Sequence, residues 1–174
     1  MRGSFHARGS WPGPIVFRQG WALAEGRPWN DDLNQAALRL TRGQASFMRT
    51  AAEWLVTAGT ESVVSPPMHA DACSLWSQAG FEETRSLLVM ERDLSLAFSE
   101  PLLAVRPGRQ HELSEAVEID SAAFAPPWRA SRLGLTEALS ATQRSRFLVC
   151  EVDETVVGFA IVGVTGPGAY LQRI

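Results

Sequence analysis

The chain has 174 residues, 45% of them hydrophobic and 20% charged, which is typical of a globular protein and excludes a disordered or collagen-like chain. The formal net charge is −3 and all 16 basic residues are arginine, so we expect no nucleic-acid partner, and lysine-based chemistry such as Schiff-base formation is excluded. Two cysteines are too few for a disulfide framework, and no apolar run approaches the ~20 residues of a membrane helix, so we expect a cytoplasmic protein without a membrane partner.

The chain begins with residues that favour loops and strands. Residues 1–14 are rich in Gly, Ser, Pro and Arg and are expected to be poorly ordered. Residues 15–24 predict a strand pair or one bent strand. The tripeptide Gly26-Arg27-Pro28 is expected to break the chain after them.

A helical pattern follows, in which apolar residues recur at spacings of three and four. It predicts helix from Asp32 to Ala58, with Asn30 or Asp31 as the cap. Gly43 is interpreted either as a break between two helices or as the start of the second. Gly59 is expected to close the second helix at its carboxyl end.

The chain then alternates once more before a linker. A short buried strand is predicted over residues 61–65 and ends at Pro66-Pro67, and a short helix is predicted to follow Asp71, as its cap, and to run through Gln78. Residues 81–94 predict an extended segment that forms a strand with an apolar centre, and residues 95–100 predict a linker.

The second half predicts a strand, two helices and a hairpin, followed by a further strand. The predicted segments are residues 102–106 (strand), 110–124 and 130–142 (helices), 146–152 and 155–164 (hairpin strands) and 169–174 (strand). Asp153-Glu154 forms the predicted hairpin turn.

Few side chains are arranged for catalysis or metal binding. His6, His69 and His111 lie at no metal-ligand spacing from a cysteine or another histidine, so no metal is expected. His69 and Cys73 would share one face of the predicted helix, but no third group is placed to orient such a pair. No catalytic residue is therefore assigned.

Two regions resemble the GNAT (GCN5-related) N-acetyltransferase superfamily. Residues 69–81 read H-x-x-A-x-x-L-W-x-x-x-G-F and resemble the late helix and strand of that superfamily, where N-x-x-A-x-x-L-Y-x-x-x-G-F is usual. Residues 102–174 are similar to the opening of such a domain. Within them, E-I-D-x-x-x-F at 118–124 followed by Pro127-Trp128 resembles the ribosomal-protein N-terminal alanine acetyltransferases.

The resemblance implies an α/β (α+β) fold with a mixed, mostly antiparallel sheet flanked by helices, here as two partial units. Residues 1–96 would be a degenerate unit built from late-half elements. Residues 100–174 would be the N-terminal half of a second domain, ending before its CoA motif. The chain is therefore expected to be a fragment of a tandem protein.

The resemblance also implies acetyl-CoA as co-substrate. In the superfamily, Q/R-x-x-G-x-G/A at the start of the third helix holds the pyrophosphate on free backbone N–H groups. The equivalent residues of the first unit, 40–45, read L-T-R-G-Q-A, which assigns CoA binding to Arg42, Gly43 and Ala45. Leu40 stands where Gln or Arg is usual.

The implied activity is transfer of acetyl to the amine of a small molecule or peptide, with Phe124, Trp128 and Arg173 assigned to the acceptor substrate. Trp76 stands where the superfamily often has a tyrosine that protonates the leaving thiolate. Because an indole N–H is a far weaker acid than a phenol, we interpret Trp76 as core packing.

Two alternatives stay open. The halves could pack as one permuted domain, with residues 43–45 facing the strand at 170–174, so that a CoA site forms within this chain. The other alternative is a non-catalytic module that serves in homodimerisation or regulation and binds a partner through Trp11, Trp21 and Trp29.

Overall fold

The computed structural model describes residues 3–93, 95–96, 102–126, 128–166 and 168–174. The chain divides into two compact units, Met1–Glu91 and Arg92–Ile174. The described residues form two mostly antiparallel sheets, of five and four strands, with four helices, so the predicted mixed α/β (α+β) class is confirmed. Most of the predicted linker, like Pro127 of the Pro127-Trp128 pair, lies outside the described residues.

The first unit is a five-stranded sheet with two helices. Its elements are β1 (Phe5–Arg8), β2 (Ile15–Gln19), β3 (Ala22–Trp29), β4 (Asp32–Arg42), α1 (Ala45–Thr57), β5 (Ser62–Val64) and α2 (Ala70–Gln78). The sheet order is β1-β2-β3-β4-β5, in which β1 to β4 are antiparallel neighbours and β5 pairs parallel to β4.

One face of this sheet and one face of α1 form the core of the first unit. Alternate strand residues point inward, as the two-residue period of a strand requires, and Phe17 and Leu38 are fully buried. They meet the apolar side of α1, where Phe47 and Leu55 are also buried. The prediction of a helix closed by Gly59 is confirmed for this part of the chain.

The prediction of helix over residues 32–42 is wrong, because the chain forms strand β4 there. Asn30 and Asp31 both have left-handed backbone, with φ of 49° and 62°, which is the conformation of a two-residue hairpin turn. They reverse the chain onto β3 and do not cap a helix. Ala36 and Leu38 then alternate inward with period two.

Two further predictions for the start of the chain are wrong. Residues 1–14 contain strand β1, which Phe5 anchors by stacking on Phe17 with ring centroids 5.8 Å apart. The expected break at Gly26-Arg27-Pro28 lies inside β3. The pairing of β3 with β2 ends at Gly26, so Pro28 removes no hydrogen-bond donor from that pair.

The segment after α2 also differs from the prediction. Residues 81–93 are described, yet none of them pairs in a sheet, so the expected strand over 81–94 is absent from the described part. The prediction of α2 is confirmed in position, but its N-cap residue is His69, and Asp71 lies in the first turn.

The second unit follows the predicted order of elements. They are β6 (Val105–Pro107), a 3₁₀ turn (Gln110–Glu112), α3 (Leu113–Ala123), α4 (Arg132–Ser140), β7 (Arg144–Val152), β8 (Thr155–Thr165) and β9 (Gly168–Arg173). The antiparallel order is β6-β7-β8-β9, and the predicted turn at Asp153-Glu154 has left-handed backbone at both residues. Its core is built around Leu135, Val149 and Ile161.

Candidate functional site

In the first unit, strands β4 and β5 pair over only part of the length of β4. Parallel pairing joins Gln35–Ala37 to Ser62–Val64, whereas β4 continues through Leu38–Arg42. After Val64 the chain reaches Pro66-Pro67, and proline has no N–H with which to extend a ladder. The edge of β4 from Leu38 to Arg42 that points away from β3 therefore has no strand partner among the described residues.

Gly43 turns the chain from the end of β4 into α1. Its φ is +155°, a conformation that L side chains rarely adopt. A Cβ at this position would lie 2.8 Å from Cδ1 of Phe47 and 3.2 Å from Cδ1 of Leu40. Both the backbone and the packing thus require glycine, which brings the start of α1 close to the open edge of β4.

The amino end of α1 carries no compensating negative charge. Gln44 is the N-cap residue in extended conformation, and its side chain makes no capping hydrogen bond. Its carbonyl accepts the N–H groups of Phe47 and Met48 at 3.1 and 3.2 Å. The N–H groups of the first helical residues have no partner within a helix, and the helix dipole makes this end attractive to an anion.

Two polar side chains fix the strands that frame this place. Nε of Arg42 donates to the carbonyl of Trp21 at 2.5 Å, which holds the end of β4 against the start of β3. Nε2 of Gln35 donates to Oγ of Ser62 at 3.1 Å across the β4–β5 pair. Oε1 of Gln35 is buried and has no hydrogen-bond partner among the described residues.

The other residues singled out in the first unit have structural contacts. Trp76 is 8% exposed and packs edge-on against Phe81, with centroids 4.8 Å apart, in agreement with its interpretation as core. Sγ of Cys73 lies 3.8 Å from the backbone carbonyl of His69. The predicted interface tryptophans differ, since Trp21 is 60% exposed whereas Trp11 packs against the core.

A groove of about 510 Å³ lies on another side of this unit, between the carboxyl half of α1, the start of β5 and the end of α2. Arg49 crosses it and donates to the carbonyls of Gln78 and Ala79 at 2.7 and 3.3 Å. These bonds satisfy carbonyls that the end of α2 leaves without helical partners. Glu53 and Glu61 also line the groove, so it offers no net positive charge to an anion.

In the second unit, a fully buried carboxylate organises the loop between α3 and α4. Asp120 accepts a hydrogen bond from Nε of Arg173, at the end of β9, and one from the N–H of Ala130 at 2.6 Å. Nη2 of Arg173 donates to the carbonyl of Trp128 at 2.7 Å, and its guanidinium lies 3.8 Å from the ring centroid of Phe124. The structure therefore brings together Phe124, Trp128 and Arg173, the three residues predicted to contact the acceptor.

Asp120 was not among the predicted site residues. Its signal in the sequence was an acidic residue on the apolar face of α3, in line with the buried Leu113 and Ala116. A carboxylate on such a face needs a buried cationic partner. The partner, Arg173, is 53 residues away in sequence, and spacing along the chain could not identify it.

A second ion-pair cluster joins β6, the 3₁₀ turn and β7. Arg106 donates from Nη2 to Glu112 at 2.6 Å and from Nε to Glu151 at 2.6 Å. The Arg106 guanidinium, together with the N–H of Arg109 at 2.6 Å, lowers the pKa of Glu112 to about 2. The two carboxylates in turn raise the pKa of Arg106. These ion pairs hold β6, the edge strand of the sheet, against the start of α3 and against β7.

Among the described residues, no group of three or more His, Cys, Asp and Glu side chains could hold a metal ion. In the same part of the chain, no helix has the length and apolar character needed to cross a membrane. The chain matches no protein-family model, and no curated protein matches it.

Proposed function

We propose that the first unit binds acetyl-CoA and that the protein is an N-acetyltransferase of the GNAT type, transferring acetyl to an amine. One observation carries the proposal. The parallel pairing of β4 with β5 stops at Ala37, and the uncapped amino end of α1 follows Arg42 at the same end of β4. A free strand edge next to an anion-attracting helix end is the combination that a CoA molecule would use.

The chemical groups of CoA fit the residues at this place. Its extended pantetheine arm carries amides, which would pair with the open edge of β4 at Leu38–Thr41 as a strand does. Its pyrophosphate would take the N–H groups at Gly43–Ser46, where glycine lets the backbone approach closely and the first turn of α1 has no acidic residue. Arg42, Gly43 and Ala45 are the proposed binding residues.

In the proposed reaction, an amine nitrogen bonds to the thioester carbonyl carbon as the carbon–sulfur bond breaks, and the proton lost from the amine passes to the departing thiolate. The described part of the first unit offers no tyrosine for that proton, because Trp76 occupies the position and is packed in the core. Catalysis would therefore rest on positioning the two substrates.

The second unit, taken by itself, offers a place for an amine of a small molecule or peptide. Phe124 and Trp128 would contact it, and Arg173 would act as a positioning residue because its guanidinium is already engaged with Asp120 and the Trp128 carbonyl. Since acetyl-CoA is available in the cytoplasm, we propose that location for the protein.

A non-catalytic CoA-binding module is the second candidate. The replacement of an acidic phenol by the buried Trp76 favours it, because this unit then lacks a proton donor for the leaving thiolate. The two candidates share the binding site and differ only in turnover.

Calorimetric titration of the full chain with acetyl-CoA tests the proposal. Ser46 is exposed in the first turn of α1, so Ser46→Glu places a negative charge at the anion site while favouring the helix dipole. We expect this variant to fold and to bind acetyl-CoA about tenfold more weakly. Ser46→Gln, the neutral control of equal size, should bind within about twofold of the natural chain.

Absence of binding heat at millimolar acetyl-CoA, or equal affinity of the two Ser46 variants, would overturn the site. Release of free thiol from acetyl-CoA in the presence of a panel of small amines and peptides separates the two candidates. Thiol release that depends on amine supports the transferase. Binding without release supports the module.

A further inference from the structure

Four consecutive large apolar residues after α2 are exposed to solvent. Leu87, Leu88, Val89 and Met90 have exposed fractions of 56, 93, 85 and 90%; we call these residues the apolar segment. Single exposed apolar side chains are normal on protein surfaces, but a contiguous group of this kind marks an interaction site. The feature does not depend on the proposed function.

The backbone of the apolar segment is also open to pairing. None of residues 81–93 pairs in a sheet, and the apolar segment contains no proline, so each of its four residues has an N–H that a strand partner could use. The edge of β5 in the same unit is only three residues long and is followed by Pro66-Pro67, so it is too short to pair with the whole segment.

We propose that the apolar segment pairs antiparallel with the same segment of a second copy of the chain, with Leu88 opposite Leu88. A symmetric antiparallel pair has its two-fold axis perpendicular to the sheet, and that axis keeps each side chain on its own face. Neighbouring residues of a strand point to alternate faces, and residues directly opposite each other point to the same face. Two opposite residues must therefore both have even numbers or both have odd numbers, so their numbers add to an even sum.

This condition excludes the register that places Leu88 opposite Val89. Among the registers that meet this condition, the one centred on Leu88 places Leu87 opposite Val89 and Ser86 opposite Met90. Each of the four apolar residues then faces an uncharged residue. The register centred on Val89 instead places Leu87 opposite the charged Glu91. The apolar pattern therefore selects Leu88 as the centre.

The charges directly next to the apolar segment fit this register. In the register centred on Leu88, Arg85 of each copy lies opposite Glu91 of the other, which gives two oppositely charged cross-strand pairs directly next to the apolar pairs, whereas the like-charged Glu83 and Asp93 face each other two residues further out. The apolar segment is thus complementary to itself in its apolar pattern and in the charges directly next to it, which favours a second copy as its partner.

Light scattering after size exclusion, over a range of protein concentrations, tests the pairing. We expect a dimer for the natural chain. Arg85→Glu and Glu91→Arg should each weaken it about tenfold, because both cross-strand pairs become like-charged. The double variant, which exchanges the charges, should restore the dimer. A monomer at all concentrations, or no restoration by the double variant, would overturn the proposal.

Cysteine cross-linking tests the register in the full chain with Cys73 and Cys150 replaced by alanine. Leu88→Cys would lie directly opposite itself, at a separation that a disulfide spans, and should cross-link readily under mild oxidation. Val89→Cys is the matched control, since it lies opposite Leu87 on the other face and should cross-link slowly. Equal rates for the two variants, or faster cross-linking of Val89→Cys, would overturn the proposed register.

Discussion

Replacement of Gly43 by alanine tests whether the β4–α1 turn needs glycine for the two reasons that the structure gives. At φ of +155° an L residue costs about 1–3 kcal/mol. The added Cβ would also lie 2.8 Å from the ring of Phe47, which is only 2% exposed and has little room to move, and overpacking of this kind costs about 1–3 kcal/mol. Together, Gly43→Ala should reduce the free energy of unfolding of the first unit by about 2–6 kcal/mol.

Gly59→Ala is the matched control. Gly59 also has a left-handed backbone, with φ of +114°, but a Cβ there would meet nothing within 4 Å. It should therefore show only the backbone part of the loss, about 1–3 kcal/mol. The measurement is urea unfolding followed by tryptophan fluorescence, which reports mainly on the first unit because all six tryptophans except Trp128 lie in it. If Gly43→Ala is no less stable than Gly59→Ala, the packing argument at Gly43 is wrong.

Three further predictions concern ion pairs and helix ends. The pKa of Glu112 is lowered from its ordinary 4.5 to about 2, so its stabilising effect is complete above about pH 4.5 and is lost as the pH falls towards 2. Unfolding followed by circular dichroism at a series of pH values should therefore show that the difference in the free energy of unfolding between the natural chain and Glu112→Gln disappears over that range. Asp120→Asn should lower the free energy of unfolding in urea by about 3–5 kcal/mol, because it leaves Arg173 without its anionic partner. Combining it with Arg173→Met should recover part of that loss. If the loss in the double variant equals the sum of the losses in the two single variants, the pairing is contradicted. Arg49→Met should lower stability by about 1 kcal/mol by removing the hydrogen bonds to the end of α2, and an unchanged midpoint of unfolding would argue against that cap.

The sequence alone predicted those helices and turns whose positions depend only on residues close together in the chain. The spacing of apolar residues and Gly59 located α1, and Asp153-Glu154 located the hairpin of the second unit. The proposed CoA residues Arg42, Gly43 and Ala45 were assigned through the resemblance, and local patterns missed that a strand ends and a helix starts within these four residues. Helix termini and tight turns are fixed by backbone preferences that act over a few residues.

Only the tertiary structure decided the state of residues 32–42 and the partner of Asp120. Leucine, alanine and arginine in residues 32–42 are good helix formers, yet hydrogen bonds to β3 and β5 on either side stabilise strand β4 by more than the small differences in helix propensity. The Asp120–Arg173 pair joins residues 53 apart, and its geometry exists only once β9 lies beside the α3–α4 loop. Helix and strand propensities depend on neighbouring residues, whereas strand pairing and buried charge pairs join residues that are distant in sequence. In residues 32–42 the contacts between distant residues outweigh the local helix propensity.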